Sequence, residues 1–188
     1  MSGRGTCDDR SVAGTNGKQK TARGMVLSLG VCVLAAGFVY IFLPRDGSAP
    51  DLKRVDYRVE LLTARRAAAY AVAAPEGLPQ SWKATSVRFD GTRSDEWHLG
   101  FHTPDGEYVA LEQSAGKRSA VIEEASQGAR ETDVTEDIGG RTWVRYTGGR
   151  YDALVLAEGE QPAEATTVVA GTGSFEQLAQ VARALRTG

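Results

Sequence analysis

The sequence predicts an α+β protein, in which an N-terminal transmembrane helix precedes one domain with a mainly antiparallel sheet and two or three helices. Three observations lead to this fold class. Residues 25–43 form an apolar run without charge, strand-like segments after it are joined by short turns, and further segments carry apolar residues at helical spacing. Hairpin turns connect antiparallel neighbours, and helices between sets of strands are able to cover one face of the sheet.

The apolar run at residues 25–43 predicts a membrane anchor. As a helix rising about 1.5 Å per residue it is roughly 28 Å long, close to the hydrocarbon thickness of a bilayer. The preceding residues 1–24 carry five basic and two acidic side chains, a flank that favours the cytoplasmic side. A cleaved signal peptide is the alternative, although its apolar region is normally only about 7–15 residues long. We expect a single-pass protein of the cell membrane, held in the lipid bilayer by residues 25–43, with its C-terminal domain outside.

The rest of the chain is predicted to contain a tail, a linker and one domain. Residues 1–24 are polar and lack an apolar period, which is typical of a disordered cytoplasmic tail. Residues 44–55 begin with a run of turn-forming residues and are expected to be a linker. Residues 56–188 suffice for a single extracytoplasmic α+β domain with its own core.

Composition argues against a nucleic-acid partner for this domain and against cysteine-based cross-links or metal sites in it. Beyond Arg45 the chain has 16 basic and 22 acidic residues, a net charge of −6, which argues against a nucleic-acid partner. Both cysteines, Cys7 and Cys32, precede the domain. We therefore expect neither a disulfide nor a cysteine-ligated metal in it.

Hydrophobic periodicity and turn residues predict the elements of the domain in order. Glycine and proline mark the turns, and residues 70–74 fit either a strand or a loop. The strands are predicted at 82–90, 96–102, 108–113, 141–147, 151–157 and 166–170, and the helices at 57–70, at 119–129 and from 175 onward.

The clearest strand and the clearest helix make specific predictions. In the strand at 96–102, apolar residues alternate with polar ones, so Trp97 and Phe101 should point inward while His98 and His102 face outward. In the last helix, Ser174 followed by Gln177 is the capping-box pattern. An apolar stripe follows the cap, formed by Phe175, Leu178, Ala179, Ala182 and Leu185.

Several short motifs carry a resemblance to a known family. They are L-P-x-x-W (Leu78, Pro79, Trp82), W-x-L-G-F (Trp97 to Phe101), E-Q-S (Glu112 to Ser114), G-G-x-x-W (Gly139, Gly140, Trp143) and V-x-G-T (Val169, Gly171, Thr172). Together with the anchor they resemble a family of actinobacterial membrane-anchored proteins that carries only the label of a domain of unknown function. The resemblance implies location and architecture but no chemistry. More loosely, the order of strands and helices is similar to Mog1/PsbP-like domains, which mostly bind partners.

No candidate metal, anion or sugar site outweighs a structural interpretation of the same residues. His98 and His102 would lie about 13 Å apart along a strand, too far to share a metal ion. The turn at 171–174 is better explained as a capped strand-to-helix turn than as an anion site, because it has no P-loop lysine. The three tryptophans suit a core better than a sugar-binding face; they are Trp82, Trp97 and Trp143.

Nucleophiles and carboxylate pairs are similarly weak candidates for catalysis. Ser81, Ser86 and Ser114 lack the G-x-S-x-G setting of a hydrolase nucleophile. The carboxylate pairs 123–124 and 136–137 are typical of a solvated surface.

The sequence therefore assigns no catalytic, cofactor-binding or metal-binding residue, and no cofactor. We expect a membrane-anchored binding or scaffolding module that meets an envelope protein or a cell-wall component, not an enzyme. The alternative is a cell-envelope hydrolase with an unrecognised active site. The two classes are distinguished by whether a carboxylate and a serine or histidine converge in one cleft.

Overall fold

A computed structural model describes residues 25–35, 53–157 and 165–187 of the 188-residue chain. The chain divides into two compact units, residues 1–48 and 49–188. In the first unit, residues 25–35 are helical (α1). The rest of the predicted anchor, the predicted tail and most of the predicted linker lie outside the described residues. Within the described ranges, no helix combines the length and the apolar composition needed to cross a bilayer.

The second unit alternates strands and helices, as an α+β domain does. Its nine described strands and three described helices occur in the order α2 (Arg58–Ala67), β1 (Ala73–Pro75), β2 (Lys83–Asp90), β3 (Glu96–His102), β4 (Tyr108–Ser114), α3 (Arg118–Ser126), β5 (Arg130–Asp137), β6 (Thr142–Thr147), β7 (Asp152–Leu156), β8 (Thr166–Gly171), α4 (Phe175–Ala184) and β9 (Leu185–Thr187).

Seven of the strands form one antiparallel sheet in the order β2-β3-β4-β8-β7-β6-β5. Two meanders, β2 to β4 and β5 to β8, are therefore joined side by side through the β4–β8 pair. The predicted antiparallel sheet is confirmed. Strands β1 and β9 pair separately as a two-stranded antiparallel sheet.

Helices pack on both faces of the large sheet, whereas the sequence led us to expect one covered face. On one side, α4 packs through Leu178, Val181 and Ala182 into the larger core cluster; we call this the α4 face. On the other side, α3 packs mainly on β8, with Ile122 among the buried residues there; we call this the α3 face. Because β7 and β8 are covered on both faces, their side chains are buried almost without alternation.

The core contains the residues that the alternation in β3 predicted. Trp97 and Leu99 are fully buried on the α4 face and Phe101 nearly so, while the two histidines of this strand are partly exposed. Trp82 and Trp143 are also buried, which confirms the interpretation of the tryptophans as core residues. The capping box of α4 is confirmed too, because the Ser174 and Gln177 side chains bond reciprocally to each other's backbone N–H.

The sequence missed one strand and placed the ends of two helices wrongly. Strand β5 was not predicted, because its residues are mostly exposed and charged and carry no apolar alternation. Leu185 was assigned to the last helix, but the chain leaves α4 at Ala184 and Leu185 begins β9. Helix α3 ends at Ser126, because Gln127 adopts a left-handed conformation.

Candidate functional site

A groove of about 550 Å³ lies on the α3 face of the sheet, beside α3 and above strands β3 and β4. Helix α3 packs on β8, β7 and β4 but not on β2 or β3 at comparable closeness. The groove is therefore the part of this face that α3 leaves uncovered. One wall is the α3 residues Ala120, Val121, Glu124 and Ala125, and the other is formed by polar side chains of the first meander.

Small residues form a row across the sheet beneath and beside the groove, and Ala110 and Ala170 of this row line it. Gly100, Ala110 and Ala170 are paired in register across three neighbouring strands, β3, β4 and β8. A Cβ atom at Gly100 would overlap the hydroxyl oxygens of Ser86 and Tyr108, so only glycine leaves room for both side chains here. Because the residues of this row are small, polar side chains from the flanking positions can lie over the sheet.

A chain of hydrogen bonds runs across strands β2, β3 and β4 at the edge of this row. The His98 Nδ1 atom lies 2.6 Å from Glu112 Oε1, and Nε2 lies 2.8 Å from Ser86 Oγ. The Tyr108 hydroxyl is 3.4 Å from the same Nε2 atom. With the carboxylate ionised and the ring neutral, His98 donates a hydrogen bond from Nδ1 to Glu112, and its Nε2 accepts a hydrogen bond from a neighbouring hydroxyl. Serine, histidine and carboxylate are thus joined in one hydrogen-bond chain, of which His98 and Glu112 line the groove.

Strand pairing explains how these side chains meet. His98 and Glu112 are direct partners in the β3–β4 ladder, and directly paired residues share a face. Ser86 reaches the same face because β2 has a bulge between Ala84 and Ser86. The bulge lets Ala84 point into the core while Ser86, two residues later, points to the opposite face and contacts His98.

The electrostatics of the groove are dominated by a half-buried carboxylate. Burial raises the pKa of Glu112, and the hydrogen bond and charge of His98 oppose that shift only in part. Burial also raises the pKa of the Tyr108 hydroxyl, so this group stays protonated and available as a donor at neutral pH.

Ion pairs close one end of the groove. Glu96 pairs with Arg88 and, at 3.4 Å, with Arg93, while Arg93 also reaches Glu124 on α3 at 3.1 Å. The hairpin between β2 and β3 is thereby linked to α3. Among the groove residues three are basic and three are acidic, in addition to the histidine; they are Arg88, Arg93, Lys117, Glu96, Glu112 and Glu124.

The chain belongs to the family described as "protein of unknown function (DUF4245)". The match covers residues 18–185, which include every residue of the groove. The expected membership of a family of unknown function is confirmed. No curated protein and no solved structure matches the chain.

The structure separates most of the other residues that the sequence singled out. His102 does not line the groove; its ring lies 5.6 Å from that of Tyr108, and it makes no contact with His98 that would let the two share an ion. Ser114 lines the groove, but it is buried and its hydroxyl donates to the Ser94 carbonyl rather than to His98. Within the described part of the chain, no group of three or more histidine, cysteine or acidic side chains is placed to hold a metal ion.

The turn at residues 171–174 serves the backbone rather than a ligand. Thr172 donates its N–H to the Tyr108 carbonyl and accepts from the Tyr108 N–H through its hydroxyl. This turn borders a second depression, whose charged lining residues are all acidic: Asp105, Glu107 and Glu176. Such a surface disfavours the anion that a helix N-terminus would otherwise attract.

Sequence reasoning missed the convergence of Ser86, His98 and Glu112, although part of it was accessible. The Thr-Pro-Asp-Gly turn centres its hairpin near residue 105, and a two-fold register about that point pairs position 98 with position 112. The bulge that turns Ser86 toward His98 leaves no comparable signal in the sequence. Of the carboxylate pairs, Glu124 contacts Arg93 and Glu136 contacts Arg145, so both acids belong to surface ion pairs.

Proposed function

We propose that this DUF4245 protein is a membrane-anchored, extracytoplasmic binding module whose ligand occupies the groove beside α3. The uncharged run at residues 25–43 and the positive flank before it support the anchor and its orientation. The antiparallel sheet flanked by helices supports the looser similarity to Mog1/PsbP-like binding domains, and the sequence motifs support an actinobacterial origin.

The observation that carries the proposal is a groove of about 550 Å³ whose polar groups surround small residues of the sheet. Its three basic and three acidic side chains balance, so the groove selects neither anions nor cations. Its hydrogen-bonding groups and the tyrosine rings of residues 108 and 151 suit a ligand that carries hydroxyl groups. A segment of cell-wall glycan has this chemistry.

Binding to isolated actinobacterial cell-wall sacculi tests the proposal. The full chain in detergent should sediment with the sacculi, and His98→Ala should weaken binding by roughly tenfold through loss of one hydrogen-bonding side chain. His102→Ala is the matched control, because this histidine lies on the same strand but does not line the groove. Equal binding by the two folded variants would refute the groove as the site.

The anchor has its own test. A reporter enzyme that is active only outside the cytoplasm, fused after Gly188, should be active, and the chain should stay with membranes after a high-salt wash. Activity of a cytoplasmic reporter at the same position would reverse the orientation.

A serine hydrolase is the second candidate, because Ser86, His98 and Glu112 form the hydrogen-bond sequence of a nucleophile, a base and an orienting carboxylate. In that reaction Ser86 Oγ attacks an ester carbonyl, His98 Nε2 takes the proton and returns it to the leaving alcohol, and water releases the acid. However, Ser86 lies within a strand, where backbone N–H groups lie in the plane of the sheet rather than over the side chain. The Tyr108 hydroxyl, 3.4 Å from His98 Nε2, is a side-chain donor beside this pair that an oxyanion could use.

Labelling with a fluorophosphonate separates the two candidates. An activated serine reacts covalently with the probe, so a hydrolase should gain the mass of one adduct, which Ser86→Ala removes and Ser81→Ala retains. A chain that stays unlabelled under conditions that label an authentic serine hydrolase is not a serine hydrolase. The binding module is unaffected by that result.

A further inference from the structure

The outward face of α2 combines apolar and basic side chains. At about 100° per residue, Leu62, Arg66 and Val59 fall together on the side of the helix opposite the buried Ala64. Val59 is 71% exposed and Leu62 is 54% exposed. In the described part of the second unit, Val134 is the only other large apolar side chain that is exposed to this degree. We call Val59, Leu62 and Arg66, with Arg58 beside them, the outer face of α2.

The charges around this face differ from those of the whole domain. Residues 53–67 carry five basic and two acidic side chains, a net charge of +3, whereas the chain beyond Arg45 has a net charge of −6. The side chains of Arg58 and Arg66 are exposed, and neither forms an ion pair with a carboxylate of the described residues. The one acid within α2, Glu60, is partly buried away from the outer face.

We propose that the outer face of α2 lies on the anionic surface of the bilayer and orients the domain there. Exposed apolar side chains flanked by arginines are the composition of a helix that rests at the lipid headgroups. The remaining, acidic part of the domain is repelled from the same surface, so the charge asymmetry favours one orientation. This inference rests on the proposed anchor, because α2 begins only 15 residues after residue 43 and such a length keeps it near the membrane.

A label on the helix tests the contact in the full chain. In a Cys7→Ser, Cys32→Ser background, Leu62→Cys and Val134→Cys each carry one environment-sensitive fluorophore, and the chain is reconstituted into phosphatidylglycerol vesicles that contain a headgroup-quenching lipid. The label at position 62 should be quenched and the label at position 134 should not. Changing Arg58 and Arg66 to glutamate should lower the equilibrium constant for the quenched, membrane-bound orientation by about fivefold or more per arginine.

The outcomes distinguish this inference from the anchor. Flotation of the chain with vesicles after a carbonate wash tests the anchor, whereas quenching at position 62 tests the outer face of α2. Quenching at low salt without carbonate-resistant flotation supports the α2 contact and refutes the anchor. An unquenched label at position 62 refutes the α2 contact, and energy transfer between labels on separate copies would assign the face to self-association instead.

Discussion

Replacing Gly100 by alanine tests whether the space above this residue is as crowded as its geometry implies. The new methyl group would overlap the hydroxyl oxygens of Ser86 and Tyr108 and lie 2.9 Å from a ring carbon of Tyr108. Overpacking of this kind costs about 1–3 kcal/mol. Replacing a strand glycine by alanine also stabilises the fold by roughly 0.5–1 kcal/mol, because the unfolded chain loses conformational freedom. We therefore expect a net loss of up to about 2.5 kcal/mol in the free energy of unfolding, with a central value of about 1 kcal/mol.

Urea melts arranged as a double-mutant cycle measure this loss and identify its source. In a Ser86→Ala, Tyr108→Phe background both hydroxyls are gone, and Gly100→Ala should then cost less than half as much. Gly91→Ala is the control, because a Cβ there meets its nearest neighbour at 3.6 Å. An undiminished cost in the background lacking both hydroxyls would show that the strain arises from the ring at position 108 or from the backbone and not from the two hydroxyl groups.

Two further predictions concern the faces of β3 and the buried carboxylate. Phe101→Ala should cost about 3–5 kcal/mol in urea melts and His102→Ala under about 0.5, and equal losses would mean that the faces are reversed. Because burial raises the pKa of Glu112 above its ordinary 4.5, the folded state holds this proton more tightly, and stability declines as pH rises through the folded pKa. Glu112→Gln, whose amide oxygen still accepts from His98, should gain stability relative to the wild type as the pH rises above the ordinary carboxyl pKa of 4.5; the opposite trend would mean that the contacts with His98 outweigh burial.

The elements that could be predicted are those whose packing leaves a local pattern. Strand β3 alternates because one face enters the core, and α4 has both a cap and an apolar stripe. Strand β5 left no such pattern, because it lies at the sheet edge and few of its side chains are buried. Strand β5 forms because it pairs with β6, so the residues that determine it lie in another segment of the chain.

The groove was harder to predict than the fold because it depends on residues that are small or displaced. The pairing of His98 with Glu112 follows from hairpin register alone, but the presence of Ser86 beside them depends on one inserted residue in β2. Ala110 lines the groove, and Gly100 leaves the space in which the Ser86 and Tyr108 hydroxyls lie. A glycine within a strand usually marks a weak strand in a sequence, and only the position of Tyr108 in the fold shows why this one is needed.

The β1–β9 pair determines when the domain can complete its folding. Ala73 pairs with Thr187 and Pro75 with Leu185. The first strand of the domain therefore cannot pair until residues more than 100 positions later have been synthesised. The two meanders have local pairings and can form as the chain emerges, and α2 packs on β2 of the first meander, whereas β1 has no strand partner until β9 arrives. A chain delivered from its N-terminus must therefore hold β1 without its strand partner until delivery ends, and truncation after α4 should leave β1 open to proteases although the large sheet is complete.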